Sequence, residues 1–370
     1  MINLVLYRKY RPQKFSEVVG QEHVIKTLTS ALKSGKVAHA YLFAGPRGTG
    51  KTTVARILAK AVNCLDDSSY EPCNKCESCL DIMDGRAMDL IEIDAASNRG
   101  IEEIRELRER VRFTPTRGKY KVFVIDEAHQ LTKDAFSALL KTLEEPPAHV
   151  IFILATTEPY KMLPTILSRV QRFDFRKFSL NDIVKRLEMI AGKEGIKVNE
   201  KALRIIALNS EGHMRDAESM FGQVIAFCGD KEIGVEDIEN ILGIVDINLA
   251  IKFIDLLAQK KSAEALTFID KFVNQGYDLV QFVESLITYS RILLLVRVSR
   301  DLSKLVKEEL SAEQLNTALK QAEQFSIQEL SKTMEIFIEA LYRMKHSSFP
   351  QVEAELATVE ICERHYSGVV

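Results

Sequence analysis

The run Gly45-Pro46-Arg47-Gly48-Thr49-Gly50-Lys51-Thr52 fits the pattern G-x-x-x-x-G-K-[ST] at every position. Glycines at these places let the backbone curl so that successive N–H groups converge on phosphate oxygens. Lys51 would bring its charge to the β- and γ-phosphates, the Thr52 hydroxyl would ligate Mg²⁺, and Thr53 continues the same turn. About 75 residues on, Lys121-Val122-Phe123-Val124-Ile125-Asp126-Glu127 reads as a buried strand ending in two acids. Asp126 would hold Mg²⁺ directly or through water, and Glu127 would polarise an attacking water as general base. Loop and acids together describe nucleoside triphosphate hydrolysis. A third cluster, Cys64, Cys73, Cys76 and Cys79, has the spacing C-x8-C-x2-C-x2-C. Four thiolates this close suggest a tetrahedral, structural Zn²⁺, with an iron–sulfur cluster as the alternative. Pro72, Asn74 and Lys75 are turn formers that suit a metal knuckle. Cys228 and Cys362 lie in apolar helical surroundings and read as core thiols.

These groups need a particular scaffold. Ala40–Ala44 is a short apolar run, readable as a strand, and Val54, Ile57, Leu58, Ala61 and Val62 recur at helical spacing after the loop. Strand, glycine-rich loop and helix are what the phosphate motif requires, and the helix dipole adds to the attraction. Val150–Thr157 reads as another buried strand ending in two hydroxyls. From spacing alone, Thr156 and Thr157 are either an ordinary strand end or a contact to the γ-phosphate. Arg169 follows a helical stretch, Met162 to Leu167, and is either a surface arginine or a finger for a neighbouring site. Arg215 opens a helix at Gly212–Ala217 and is either solvated or able to reach the phosphates. His213 beside it reads as a surface or loop residue. Asp126-Glu127-Ala128-His129 also spells DEAH, but a helicase of that kind needs a second sheet domain, and no strand–helix alternation follows residue 180.

The chain of 370 residues predicts two or three domains. Eight of its nine prolines lie at or before Pro164, and the region beyond has helical periodicity almost throughout. An α/β first half followed by an all-helical second half is the expectation. The net charge is −2, so a strongly basic nucleic-acid binder is not indicated. No apolar run approaches 18 residues and Met1-Ile2-Asn3-Leu4 does not open a signal peptide. No membrane partner is expected, and the cytoplasm is the expected location.

Further stretches carry a resemblance. Tyr10-Arg11-Pro12-Gln13-Lys14-Phe15, Val18-Val19-Gly20-Gln21-Glu22-His23, His39-Ala40-Tyr41-Leu42-Phe43, Asp89–Ser97 and Leu139–Pro147, with the cysteine insert between the loop's helix and the next strand, are similar to bacterial DNA polymerase III gamma/tau clamp-loader subunits. Those are AAA+ ATPases. The resemblance implies an α/β P-loop (AAA+) domain with a parallel sheet over residues 1–178, with its zinc insert at 64–79. A small helical lid over 179–243 and an all-helical collar over 244–370 complete the implied fold. It implies ATP, Mg²⁺ and structural Zn²⁺ as cofactors, and it places Tyr10, Arg11, Pro12, Val18 and Val19 against the adenine. Thr157 takes the sensor-1 position beside Thr156, and Arg215 that of the sensor-2 arginine. Arg169 takes that of the finger that completes the adjacent subunit's site, although Val170 stands where the family has Cys. Glu127 keeps the acid of the active subunits.

The same resemblance implies an ATPase working within the polymerase III holoenzyme, a nucleotidyltransferase complex in DNA replication. Its partners would be the other subunits of a heteropentamer, a sliding clamp and primed DNA. Ser97-Asn98-Arg99-Gly100, ahead of a helix carrying Ile101, Ile104, Leu107 and Val111, is either a phosphate contact or a plain helix cap. Because the chain stops at Val370, tethering of the polymerase core is not expected. The rival readings are an AAA+ scaffold without turnover and a hexameric DNA-remodelling motor.

Overall fold

The computed structural model describes residues 5–66, 68–229, 231–243, 247–302, 310 and 312–363. Met1–Leu4, the expected boundary residue 244, and the last residues, 364–370, lie outside them. The chain forms two compact units, Met1–Glu232 and Ile233–Val370, which divide eleven residues before the boundary expected after Gly243. Helix Val235–Leu242, assigned from sequence to the lid, therefore falls in the second unit.

The first unit is built on β1 (Ala40–Ala44), β2 (Leu90–Asp94), β3 (Lys121–Asp126), β4 (Val150–Thr156) and β5 (Gln171–Asp174). They form one parallel sheet in the order β2-β3-β4-β1-β5. Every residue of β1 and β4 is buried, as are the first five of β3, which is why these strands read as continuous apolar runs. Successive side chains feed opposite layers. Leu42, Phe123, Ile125, Phe152 and Leu154 pack with Leu107 and Leu139 on one face. Tyr41, Phe43, Val122, Val124, Ile151 and Ile153 pack with Leu28, Val54 and Leu58 on the other. The register places Ala44 opposite Thr156 and Asp94 opposite Asp126. The loop leaving β1, the acids leaving β3 and the hydroxyls leaving β4 thus emerge along one sheet edge, where open α/β sheets bind ligands.

After β5 come three helices, α1 (Leu180–Glu194), α2 (Glu200–Asn209) and α3 (Met214–Cys228). The first starts on a capping box, with Ser179 and Asp182 each satisfying the other's backbone N–H, and ends on Gly195 at φ +72°. Ile183, Leu187 and Ile190 of α1, Leu203 and Ile206 of α2, and Ala217, Phe221 and Val224 of α3 are all buried.

Apart from turns and a single β-bridge residue at Ile233, the described residues of the second unit are helical: α4 (Val235–Leu242), α5 (Ile247–Ala258), α6 (Ser262–Asn274), α7 (Leu279–Val298), a 3₁₀ turn (Arg300–Leu302), α8 (Ala312–Ala322), α9 (Ile327–Met344) and α10 (Pro350–Glu363). Phe253, Phe268, Phe272 and Phe282 stack in its core with centroids 4.5–6.4 Å apart. The Gln321 amide is buried but satisfied, donating to Ile251 O at 3.0 Å and Asp255 Oδ1 at 2.6 Å and accepting from the Tyr289 hydroxyl.

At 20 residues, helix α7 is long and apolar enough to cross a membrane by length and composition, although polar residues interrupt its apolar run. Its Phe282, Val283, Leu286, Tyr289, Ile292 and Leu293 lie in the packed core, and half of the apolar window is buried within the protein. It is the central core helix of this unit. Helix α10 is apolar on both sides. Ala354, Ala357, Ile361 and Cys362 face inward, while Val352, Leu356 and Val359, with Phe349 just ahead of the helix, stand exposed at helical spacing, as do Ile338 and Tyr342 of α9.

Candidate nucleotide and metal sites

The phosphate loop is locked at its start. Gly45 N–H donates to Thr156 O at 3.1 Å, and a Cβ on Gly45, whose φ is +149°, would stand 2.4 Å from Phe175 O. Only glycine fits there. Gly50 at φ +96° turns the chain into the helix Lys51–Val62. The Lys51 ammonium is buried and donates to Gly45 O at 2.7 Å and Pro46 O at 2.8 Å. Burial pulls its pKa down, against the opposing pull of Glu127 and Asp126. The Thr52 hydroxyl donates to Asp126 Oδ2 at 2.7 Å. A hydroxyl and a carboxylate oxygen side by side are hard donors that suit Mg²⁺, which takes its remaining ligands from water and phosphate.

Glu127 has φ +47°, a left-handed conformation uncommon outside glycine, and this throws its carboxylate off the line of β3. Thr157 Oγ1 donates to its Oε2 at 3.0 Å. The buried His129 imidazole stands behind, with Nδ1 3.0 Å from Thr156 Oγ1 and Nε2 3.0 Å from Glu158 Oε2.

Asp126, Glu127 and the loop residues Arg47–Thr53 line a cavity whose other walls are Tyr7, Arg11, Pro12, Glu17, Val18, Val19, Phe178, Arg186, Met214, Arg215 and Glu218. Its lining combines apolar side chains, Pro12, Val18, Val19, Phe178 and Met214, with the cluster of Lys51, Thr52, Asp126 and Glu127. That combination suits a purine and a triphosphate. Helix α3 closes over the loop, bringing His213 Cβ and Arg215 Cβ within 3.3 and 3.5 Å of where a Gly48 Cβ would lie. The Arg215 guanidinium lies 4.7 Å from the Tyr7 ring centroid and holds that phenol below its usual pKa. Arg186 is buried against Glu218, with Nε to Oε1 at 2.8 Å, and also donates to Tyr10 O. Burial keeps the Glu218 carboxyl above the ordinary range even with this partner.

Most of the residues expected from sequence meet here, and some do not. Gly45 and Pro46 contribute carbonyls to Lys51 and do not line the cavity. Tyr10 turns its phenol away, donating to Glu194 Oε1 at 2.8 Å, and Tyr7 takes the place on the wall. Thr157 reaches the site only through Glu127. Arg169 is not among the lining residues. Its guanidinium donates to Glu144 Oε1 at 2.6 Å and Thr165 O at 2.7 Å. Tyr7, Glu17, Phe178, Arg186, Met214 and Glu218 were not foreseen. Arg186 and Glu218 sit on different helices, and no local pattern announces such a pair.

The four cysteines of the insert come together. Their sulfurs lie within 4.8 Å of one another, and Cys64 and Cys79 sulfurs are 3.8 Å apart. A tetrahedron with Zn–S bonds of about 2.3 Å has edges of about 3.8 Å. Lys75 N–H and Cys76 N–H donate to Cys73 Sγ at 3.4 and 3.3 Å and pull that thiol down to about 6. Burial pushes Cys64 and Cys79 up. Asn74, at φ +57°, makes the turn between the knuckle's cysteines. Four sulfur donors, with N–H groups aimed at Cys73 and, from Cys73 itself, at Cys64, fit a soft or borderline cation.

A parallel sheet with a phosphate loop, an acid pair and a three-helix lid defines a P-loop ATPase fold of the AAA+ class. Three family models match in succession: "DNA polymerase III, delta subunit" over residues 20–179, "DNA polymerase III clamp loader subunit, ATPase lid domain" over 182–230, and "DNA polymerase III subunits gamma and tau domain III" over 233–365. DNA polymerase III subunit tau of Bacillus subtilis is 46% identical over 98% of this chain and 64% of its own length. The Mycobacterium tuberculosis subunit gamma/tau is 36% identical over 98% of this chain and 62% of its own. The Escherichia coli subunit tau is 43% identical over 74% of this chain and 42% of its own. The chain belongs to the gamma/tau family of DNA polymerase III clamp-loader subunits. It spans less than two thirds of the length of these relatives.

Proposed function

We propose that this chain is an ATP-hydrolysing subunit of a sliding-clamp loader. It would use nucleotide binding and hydrolysis to open a clamp and place it on primed DNA during replication. The observation that carries the reading is the convergence of Lys51, the Thr52–Asp126 pair and Glu127 in a cavity closed by α3.

The chain's own groups divide the work. Pro12, Val18, Val19 and Met214 receive the base, while the loop N–H groups and Lys51 hold the phosphates. Thr52 and Asp126 would hold Mg²⁺, which when bound supplies charge neutralisation to the β- and γ-oxygens. Glu127 accepts a proton from the attacking water, oriented for this by Thr157. Arg215 connects the phosphates to the lid, so that loss of the γ-phosphate loosens α3. Arg169 lies outside its own cavity, which supports a role in a neighbour's site within a heteropentamer. The exposed apolar stripe of α9 and α10 supports an assembly surface on the collar. The cysteine cluster takes structural Zn²⁺. The chain works in the cytoplasm as an ATPase accessory to the polymerase, and nucleotidyl transfer belongs to the holoenzyme.

ATPase of the reconstituted complex, measured with and without clamp and primed DNA, tests the proposal. Turnover stimulated by both is expected. A complex that binds ATP but shows no stimulated turnover would leave a nucleotide-bound scaffold instead.

A further inference from the structure

The cysteine knuckle is joined to the nucleotide cavity by a set of hydrogen bonds that the hydrolytic reading does not use. The Glu71 carboxylate, two residues before Cys73, accepts from Phe15 N–H and Ser16 N–H at 2.9 Å each. Lys60, fully buried on the helix that begins at Lys51, donates to Gln13 O at 2.8 Å, Gln13 Oε1 at 2.7 Å and Asn74 Oδ1 at 2.8 Å. Its three protons are thus all placed, one of them on the knuckle turn. Tyr70 adds a ring under the Lys33 ammonium, 4.3 Å from its centroid. Residues 13–16 run between Pro12 and Glu17, Val18 and Val19, all of which line the cavity and three of which are apolar.

We infer that Glu71 and Lys60 are positioning residues through which the metal knuckle sets the base-side wall of the nucleotide cavity. The phosphate loop has a further anchor at the sheet edge, where Gly45 N–H donates to Thr156 O, so loss of the Glu71 contacts bears on recognition of the base more than on recognition of the phosphates. The inference rests on the cavity being a nucleotide site.

Binding of a fluorescent ATP analogue and of inorganic tripolyphosphate to the full chain separates the two kinds of recognition. Glu71→Ala, with metal content unchanged, is expected to weaken the analogue about fivefold to tenfold and leave tripolyphosphate within twofold. It should also speed hydrogen exchange at the amides of Phe15 and Ser16. Stripping the metal from the native chain should reproduce this pattern. If Glu71→Ala sheds metal, Glu71→Gln in its metal-loaded form decides by the same two affinities. Unchanged binding of the analogue with the metal retained overturns the inference, as does an equal loss of both ligands, which would mean general collapse. A native chain that binds neither probe would instead sink the nucleotide-site reading itself.

Discussion

Thr157 Oγ1 donates to Glu127 Oε2 across 3.0 Å, tying the hydroxyl that follows β4 to the acid that follows β3. The bond spans neighbouring strands of the sheet, so the orientation of the acid depends on strand register as well as on its own left-handed backbone. Glu127→Gln should keep nucleotide binding and lower turnover by about 10²–10⁴. Thr157→Val, which keeps shape and removes the donor, should lower turnover about tenfold with affinity unchanged. Single-turnover hydrolysis alongside equilibrium binding checks both. Equal losses in affinity would show that the pair holds nucleotide and does not act on water.

The two arginines expected near the phosphates should separate cleanly. Arg215 lines the chain's own cavity and Arg169 does not. Arg215→Ala should weaken nucleotide binding by the isolated chain by about tenfold or more. Arg169→Ala should leave that binding unchanged and cut ATPase of the assembled complex by about 10³. An Arg169 variant with full activity in the assembly would remove it from catalysis altogether.

Asp89 predicts a pH dependence. Burial pushes its carboxyl up, but N–H donation from Thr116, Arg117 and Gly118 outweighs this and holds it below the usual carboxylate range. A depressed native value means that the protonated form is favoured in the unfolded chain. The stabilisation is therefore complete above the unfolded pKa of about 3.9 and fades as pH falls through the lower native value. Asp89→Asn should cost about 1–3 kcal/mol at neutral pH. It should also flatten the loss of melting temperature below pH 4. Parallel acid profiles for the two proteins in calorimetry would contradict this.

Elemental analysis should find about one zinc per chain, held by Cys64, Cys73, Cys76 and Cys79. Cys79→Ser, which removes a fully buried ligand, should release it and lower thermal stability by several degrees. An iron–sulfur absorption band in freshly purified protein would replace zinc with a cluster.

What could be read from sequence was whatever is local in the chain. The phosphate loop declares itself because eight consecutive residues do one job. The central strands declare themselves because burial on both faces leaves no alternation to interpret. Tyr7 lines the cavity and Tyr10 does not, because three residues of a short helical turn decide which ring meets it, and packing against α3 makes that choice. The Arg186–Glu218 pair joins α1 to α3 across 32 positions, a separation that no periodicity reports. Helix α7 does not read as one unbroken apolar run, because Gln281, Glu284 and Ser285 interrupt it while its apolar stripes still fill a core. Whether Arg169 does chemistry depends on a second molecule, which no single chain encodes.

The double-sided apolarity of α10 also bears on how the protein is made. Phe349, Val352, Leu356 and Val359, with Ile338 and Tyr342 beside them, face water whenever the chain stands alone. Surface of that kind draws chaperones and proteases, and it favours precipitation as concentration rises. Yield and lifetime in a cell should then follow the supply of whatever covers the stripe. Synthesis in excess would be cleared, giving the cell a simple way to hold the components of an assembly in proportion.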